Sequence, residues 1–122
     1  MPPFSMSGND RVRLRHMLEA ANEALNFMEG KARPDLDHDR MLLMALAREI
    51  EIIGEAATKV STECRTAMPG VPWPALSGIR NRLIHAYFAV DTEIVWSTVT
   101  TDLPRQIGRA TRLNSSHANI SY

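Results

Sequence analysis

The segment 80–88, RNRLIHAYF, sets a guanidinium, an imidazole and a phenol among apolar residues. Histidine has an ordinary pKa of about 6.5, so it can take up and release a proton near neutral pH. Arginine stays charged and can bind a phosphate group through two parallel N–H groups. Arg80 and His85 could therefore handle a phosphodiester, with His85 as acid and base and Arg80 on the phosphate.

Cutting RNA without a metal needs a base for the 2′-hydroxyl proton and a cation that stabilises the phosphorane. Asn81 could orient the imidazole of His85 or donate to phosphate, and Tyr87 could donate to phosphate or be modified. In the structural alternative, His85 is a structural or capping residue whose hydrogen bonds are made within the protein, and Arg80 belongs to a surface ion pair. Motifs this short are common by chance, so spacing alone favours the structural alternative.

The spacing of the pair also poses a geometric question. The segment is predicted to be helical, and successive residues of an α-helix are about 100° apart. Asn81 and His85 would then share a face, whereas Arg80 and His85 would be about 140° apart. Either the helix loosens near Ala86, or the arginine reaches around, or a second copy completes the site. A twofold dimer would bring two arginines and two histidines into one cleft.

Length and composition predict a single helical domain. The chain has 122 residues, of which 44% are hydrophobic and only 6% are aromatic, which suits an aliphatic helical core. Its 14 basic and 14 acidic residues cancel, which argues against non-specific coating of nucleic acid, so any RNA contact must be local or built across a dimer. The single cysteine, Cys64, favours the reducing cytoplasm.

Apolar periodicity predicts four helices. The first covers about 9–29, and the second starts near 36–39 and continues to about 61, where Gly54 indicates close approach of another helix. The proline-rich MPGVPWP is a connection before a third helix over about 73–87. Asp91 caps a fourth helix, which stops near 103–104. The fold class is therefore all-α, an antiparallel four- to five-helix bundle.

Domain boundaries follow from the same patterns. Residues 1–8 are predicted to be a flexible N-terminal lead, and residues 9–107 the helical domain. Residues 108–122 lose helical periodicity and are rich in polar residues, which predicts a non-native or disordered tail. No apolar run approaches the roughly 20 residues that a membrane-crossing helix needs.

Two further groups of acidic residues are candidates for a functional role. Glu55 could line the site and give acidic support to Arg80, because Gly54 beside it indicates tight helix contact. Helical carboxylates are more often solvated or paired with neighbours such as Arg48 and Lys59. The alternating aspartates at 35, 37 and 39 lack the glycine and terminal glutamate of a calcium loop, so no metal site is predicted.

Two stretches carry a resemblance to a known family. The run PWPALSGIRNRLIHAYFAVDTEIVWSTVTTDLP resembles the C-terminal half of the HepT-like family of HEPN-domain toxins, whose hallmark is R-x-x-x-x-H-x-Y. That motif corresponds here to Arg80, His85 and Tyr87. The earlier REIEIIGEAATKVS resembles the second helix of the same family. The resemblance covers about residues 10–103.

The resemblance implies a HEPN-like helical domain that forms a homodimer and acts as a metal-independent endoribonuclease toxin without a cofactor. The composite site of Arg80 and His85 would cut RNA, with tRNA as one candidate, in a type VII-like (HepT/MntA) toxin–antitoxin system. The implied partner is a minimal nucleotidyltransferase antitoxin of the MntA type, which would transfer AMP to Tyr87. The alternative is a non-catalytic HEPN module that binds a nucleotide or docks such a nucleotidyltransferase.

Overall fold

The computed structural model describes residues 5–85 and 89–104, with only the backbone described at Ile84 and His85. The predicted all-α bundle is confirmed. Within the described ranges, no helix is long and apolar enough to cross a membrane. The helices are α1 Gly8–Met28, α2 Arg33–His38, α3 Arg40–Lys59, α4 Thr62–Ala67, α5 Trp73–Ser77, α6 Ile79–Leu83 and α7 Thr92–Ser97, followed by a π-helical segment, Thr98–Asp102.

Helices α1 and α3 form the centre of the bundle as an antiparallel pair. The hydroxyl of Ser7 accepts a hydrogen bond from the backbone N–H of Asp10 at 3.1 Å, which caps α1. Gly30, with φ at 75°, ends the helix in a left-handed turn. The apolar periodicity that predicts this helix is confirmed, because the residues of its apolar stripe are all buried: Leu43, Ala47, Ile50, Ile53, Ala57 and Val60, the last just beyond the helix.

The chain around Asp39 differs from the prediction. In place of one helix beginning near 36–39, a short α2 ends at His38 and α3 begins at Arg40. Asp39 is extended, with φ at −120° and ψ at 93°. Its carboxylate accepts the N–H of Leu42 at 3.0 Å, so the side chain caps a new helix. Helix α4, which Ser61 caps through the N–H of Cys64, was not predicted.

The prediction of one continuous third helix is wrong. Gly78 separates α5 from α6, and the chain then becomes extended. Two short strands, β1 Ile84–His85 and β2 Ala89–Val90, pair in an antiparallel manner, with Ile84 opposite Val90 and His85 opposite Ala89. Strands of two residues are too short to leave an alternating pattern in the sequence.

The fourth helix is capped as predicted. The carboxylate of Asp91 accepts hydrogen bonds from the backbone N–H groups of Glu93 and Ile94 at 3.0 and 3.2 Å. Val95 and Val99 are buried. The switch to π-helical geometry at Thr98–Asp102 was not predicted. Residues 1–4 of the lead, Tyr87 and residues 105–122 lie outside the described residues, so the predictions about them stay predictions.

Candidate active site

Arg80 lies on the exposed side of α6. Pro74 occupies the first turn of α5, where its missing N–H costs no helical hydrogen bond. That helix ends at Gly78, whose N–H donates to the carbonyl oxygen of Pro74 at 3.0 Å. In α6, Ile79 and Leu83 are buried one turn apart. The opposite side of the helix therefore faces solvent and carries Arg80, which is exposed.

Helix α3 passes close to the junction of α5 and α6 at Gly54. A Cβ atom built on Gly54 would lie 2.9 Å from Cγ2 of Ile79 and 3.0 Å from the carbonyl oxygen of Leu76. Such distances leave no room for a side chain, so the close helix approach that the sequence predicts here is confirmed. As a consequence, the next residue, Glu55, lines the same cleft as Arg80.

An open cleft of about 250 Å³ lies between α3 and the α5–α6 junction. The hydroxyl oxygen of Ser77 is buried here, and among the described residues it has no hydrogen-bond partner. The residues lining the cleft are Arg48, Glu51, Gly54, Glu55, Thr58, Ser77 and Arg80.

The charges in the cleft balance, but they are not tightly paired. Nη1 of Arg48 lies 3.8 Å from Oε2 of Glu51, and the side chain of Arg48 is 63% exposed. An ion pair that long and that exposed contributes little stability. Within the described part of the chain, Arg80 and Glu55 form no ion pair. The guanidinium groups of Arg48 and Arg80 are therefore available to an incoming phosphate.

His85 does not lie on the helix that carries Arg80. Helix α6 ends at Leu83, and the backbone of His85 pairs with Ala89 in the two-stranded ladder. The carbonyl oxygen of Leu83 accepts a hydrogen bond from the backbone N–H of Asp91 at 2.8 Å. Its partner therefore lies in the segment that follows β2. The interpretation that Asn81 and His85 share one face of a straight helix is therefore wrong.

Helix α6 ends at Leu83, before Ala86. One of the three arrangements predicted from the sequence has the helix loosen near Ala86. Arg80 and His85 are therefore not held about 140° apart on one helix. Asn81 is exposed on α6 and does not line the cleft of Arg80. Tyr87 lies outside the described residues. The roles of these side chains stay predictions.

A second, smaller cleft of about 80 Å³ lies between α1 and α3. Its polar lining is mainly cationic, with Arg13 and His16 from α1 and Lys59 from α3. Glu55 lines this cleft as well as the larger one, so the two clefts share a wall. The apolar part of the lining is Ile52 and Ala56.

Sequence reasoning missed several residues of this surface. The sequence indicates Arg48 and Lys59 only as ion-pair partners of helical carboxylates, and its motifs include neither Ser77 nor Arg13. Nothing in the spacing of Ser77 indicates that its hydroxyl is left without a partner. Arg13 could have been found only by aligning α1 against α3, which depends on the register of the helix pair.

A comparison with known protein families shows which family the chain belongs to. The model described as Ribonuclease HepT-like matches residues 17–110. The chain belongs to the HepT-like ribonuclease family. The predicted family is thereby confirmed, and with it the ribonuclease class of enzyme.

Curated HepT-like relatives match most of the chain. A protein of Methanocaldococcus jannaschii, named provisionally as an RNase, is 36% identical over 92 residues, or 75% of this chain and 84% of that protein. A protein of Caldanaerobacter subterraneus subsp. tengcongensis with the same kind of name is 35% identical over 94 residues, or 77% and 84% of the two chains. The probable ribonuclease HepT of Thermococcus cleftensis is 35% identical over 100 residues, or 79% and 91%. None of the solved structures matches the chain.

Proposed function

We propose that this HepT-like chain is the toxin of a type VII-like (HepT/MntA) toxin–antitoxin system, acting as a cytoplasmic endoribonuclease. The observation that carries the proposal is the position of Arg80, exposed on α6 at the edge of an open polar cleft. Family membership supports the ribonuclease class, and the cleft offers a phosphate the guanidinium of Arg80. The substrate is RNA, with single-stranded RNA or tRNA as candidates.

The proposed reaction needs no metal. The imidazole of His85 takes the proton of the 2′-hydroxyl, and the 2′-oxygen attacks the adjacent phosphorus. The bond to the 5′-oxygen of the next nucleotide breaks, and that oxygen leaves with a proton returned by the histidine. The guanidinium of Arg80 stabilises the negative charge that develops on the phosphorane. The products are a 2′,3′-cyclic phosphate end and a 5′-hydroxyl end.

Glu55 and Asn81 have supporting roles in this proposal. Glu55 lines the cleft of Arg80 but forms no ion pair with it among the described residues, so its proposed role is to orient the guanidinium once a phosphate is bound. Asn81 follows Arg80 on α6 and is exposed, which allows its amide to donate to the RNA backbone or to His85.

The cleavage test uses the purified protein, total RNA and a chelator. Wild-type protein should cut RNA with EDTA present and leave cyclic phosphate ends, and His85→Ala should abolish cutting while remaining folded by circular dichroism. A folded His85→Ala protein that cuts at the wild-type rate contradicts the assignment. Wild-type protein that binds ATP but leaves RNA uncut would instead favour a non-catalytic nucleotide-binding or docking module.

The site is proposed to be composite, with Arg80 of one copy and His85 of a second copy meeting in the cleft of a homodimer. Complementation between two inactive variants tests this directly. When Arg80→Ala and His85→Ala are mixed and refolded together, half of the dimers are mixed and each has one complete site. About a quarter of the wild-type activity should return. No recovery from dimers shown to be mixed would mean that each copy supplies both residues.

The proposed partner is an MntA-type nucleotidyltransferase that inhibits the toxin by modifying Tyr87. The phenol oxygen would attack the α-phosphorus of ATP, releasing pyrophosphate and leaving AMP on the tyrosine. The added negative charge would repel the RNA phosphate from Arg80 and His85. Intact-mass spectrometry after incubation with the partner and ATP should show one or more AMP additions on wild type and none on Tyr87→Phe. An equal gain on Tyr87→Phe would place the modification elsewhere.

A further inference from the structure

We propose that the cleft of Arg13, His16 and Lys59 is a second phosphate-binding site, which holds the RNA backbone away from the bond that is cut. It is built from two helices, since Arg13 and His16 belong to α1 and Lys59 to the last turn of α3. His16 and Lys59 are exposed, and Arg13 is half-buried. This inference rests on the proposed ribonuclease function, because it concerns the same RNA strand.

The two clefts are continuous along α3. Glu55 lines both of them, Lys59 follows it by one turn, and Arg48 precedes it by two turns. From Arg48 to Lys59 the helix rises about 16 Å, at about 1.5 Å per residue. Neighbouring phosphates of a strand in a duplex are only about 3.4 Å apart along the axis, so this distance accommodates several nucleotides. A strand bound in the cleft that Arg48 and Arg80 line can therefore extend along α3 to the second cleft.

The charges of the joined surface favour a polyanion. Four permanent cations, Arg13, Arg48, Lys59 and Arg80, line the two clefts against two carboxylates, Glu51 and Glu55. The whole chain, in contrast, has no formal net charge. Within the described part of the protein, neither Arg13 nor Lys59 forms an ion pair.

The position of Glu55 divides the surface into two binding points. Its carboxylate repels a phosphate placed directly against it, so phosphates are held on either side, near Arg80 and near Lys59. The imidazole of His16 can donate a hydrogen bond to a phosphate oxygen or stack against a base. An acidic protein surface could also bind these cations. RNA is favoured because the second cleft shares a wall with the cleft of Arg80.

The test measures RNA binding rather than cleavage. Fluorescently labelled 2′-O-methyl oligouridylates, a trinucleotide and a fifteen-nucleotide strand, cannot be cut because the 2′-oxygen has no proton. The double variant Arg13→Ala/Lys59→Ala should bind the long strand about tenfold more weakly at low salt and bind the trinucleotide like wild type. The slope of log K against log salt for the long strand should become shallower by about 1.4, the value for two lost single-strand contacts.

The matched control removes the same charge at the opposite end of the helix pair. Lys31 follows α1 and Arg40 begins α3, and both are exposed. Lys31→Ala/Arg40→Ala should leave the salt slope of the long strand unchanged. Thermal melting of both double variants verifies that they are folded.

An unchanged salt slope for the long strand in Arg13→Ala/Lys59→Ala would overturn the inference, and so would an equal change of slope in Lys31→Ala/Arg40→Ala. A third contrary outcome is that Arg13→Ala/Lys59→Ala binds the antitoxin more weakly but binds RNA like wild type. Its failure is distinguishable from failure of the proposed function. Protein that binds the long strand through Arg13 and Lys59 but cuts no RNA contradicts only the nuclease. Protein that cuts RNA with an unchanged slope in the variant contradicts only the second site.

Discussion

Gly54 of α3 lies against Ile79 of α6 with no room for a side chain between them. A Cβ atom at Gly54 would lie 2.9 Å from Cγ2 of Ile79. Ile79 is itself buried and immediately precedes Arg80. The backbone of α3 therefore sets the position of the helix that carries the candidate phosphate-binding arginine.

Gly54→Ala should disturb stability and activity together. The added methyl group forces α3 away from Ile79 or the carbonyl of Leu76, and overpacking of this kind costs about 1–3 kcal/mol. The free energy of unfolding, from urea titration, should fall by that amount, and the RNA cleavage rate at a temperature where the variant stays folded should fall as well. Gly8→Ala is the control, because no atom lies within 4 Å of a Cβ there. Wild-type stability in Gly54→Ala would contradict the close contact.

Asp10 should contribute stability that disappears in acid. Its carboxylate accepts the backbone N–H of Ser61 at 2.8 Å and the hydroxyl of Ser61 at 2.6 Å. Burial raises the pKa of Asp10, but the hydrogen bonds from Ser61 and Ser7 outweigh burial and leave the pKa below its ordinary value of 3.8. A lowered folded-state pKa gives stability that is present above the unfolded pKa and is lost as pH falls through the folded value.

Asp10→Asn should therefore lower the free energy of unfolding at pH 7 by about 1.5–3 kcal/mol, the usual contribution of hydrogen bonds to a charged group. The difference from wild type should shrink as the pH falls below about 4. Urea unfolding at several pH values measures this, with the exposed Glu19→Gln on α1 as the control. A difference that does not change between pH 7 and pH 2 would contradict the role of the ionised carboxylate.

Cys64 should be unreactive in the folded protein. Burial, with a smaller contribution from the charge of Asp10, raises the pKa of the Cys64 thiol from 9.0 to about 11. At pH 8 the thiolate fraction is then about a hundredfold lower than in an ordinary cysteine. Labelling with iodoacetamide should be at least that much slower in the native protein than in urea. Labelling at the rate of glutathione would mean that the region of α4 opens readily.

Glu55→Gln should separate catalysis from binding. Glu55 lines the cleft of Arg80 without pairing with it in the described structure, and we expect its carboxylate to orient the guanidinium once RNA is bound, so kcat should fall by about 10- to 100-fold, as for other losses of orientation. Removal of a negative charge between the two clefts should also strengthen RNA binding and lower KM. Steady-state kinetics measures both, with the exposed Glu63→Gln as the control. An unchanged kcat would exclude Glu55 as a positioning residue.

The sequence predicts the centre of the fold well because its signals there are local. The apolar periodicity of α3, the cap at Asp91 and the close approach at Gly54 all depend on neighbours in the chain or on one small residue. Each of these predictions is confirmed.

The prediction of one continuous third helix is wrong because tertiary contacts override the local apolar pattern. The residues after Leu83 continue an apolar helical pattern, but the carbonyl oxygen of Leu83 accepts the N–H of Asp91, and Ile84 pairs with Val90. These partners come from the returning chain, and periodicity cannot reveal them. Gly78, which separates α5 from α6, was the one local signal in the segment.

The candidate site was partly predictable. Arg80 is predicted from its residue type and from the family motif, and Glu55 is predicted from its position beside Gly54. Ser77 and Arg48 could not be found, since their place in the cleft depends on how α3 packs on the α5–α6 junction.

Single-turnover cleavage by Arg80→Ala, beside Arg82→Ala, tests the central claim most directly. Both arginines are exposed on α6, but Arg80 lines the cleft, whereas Arg82 reaches the carbonyl oxygen of Ala75 at 3.4 Å. In a chelator, Arg80→Ala should cut RNA about 100- to 1,000-fold more slowly than wild type, the usual cost of losing a transition-state donor. Arg82→Ala should cut at close to the wild-type rate. Folded Arg80→Ala protein that cuts as fast as Arg82→Ala would contradict the account.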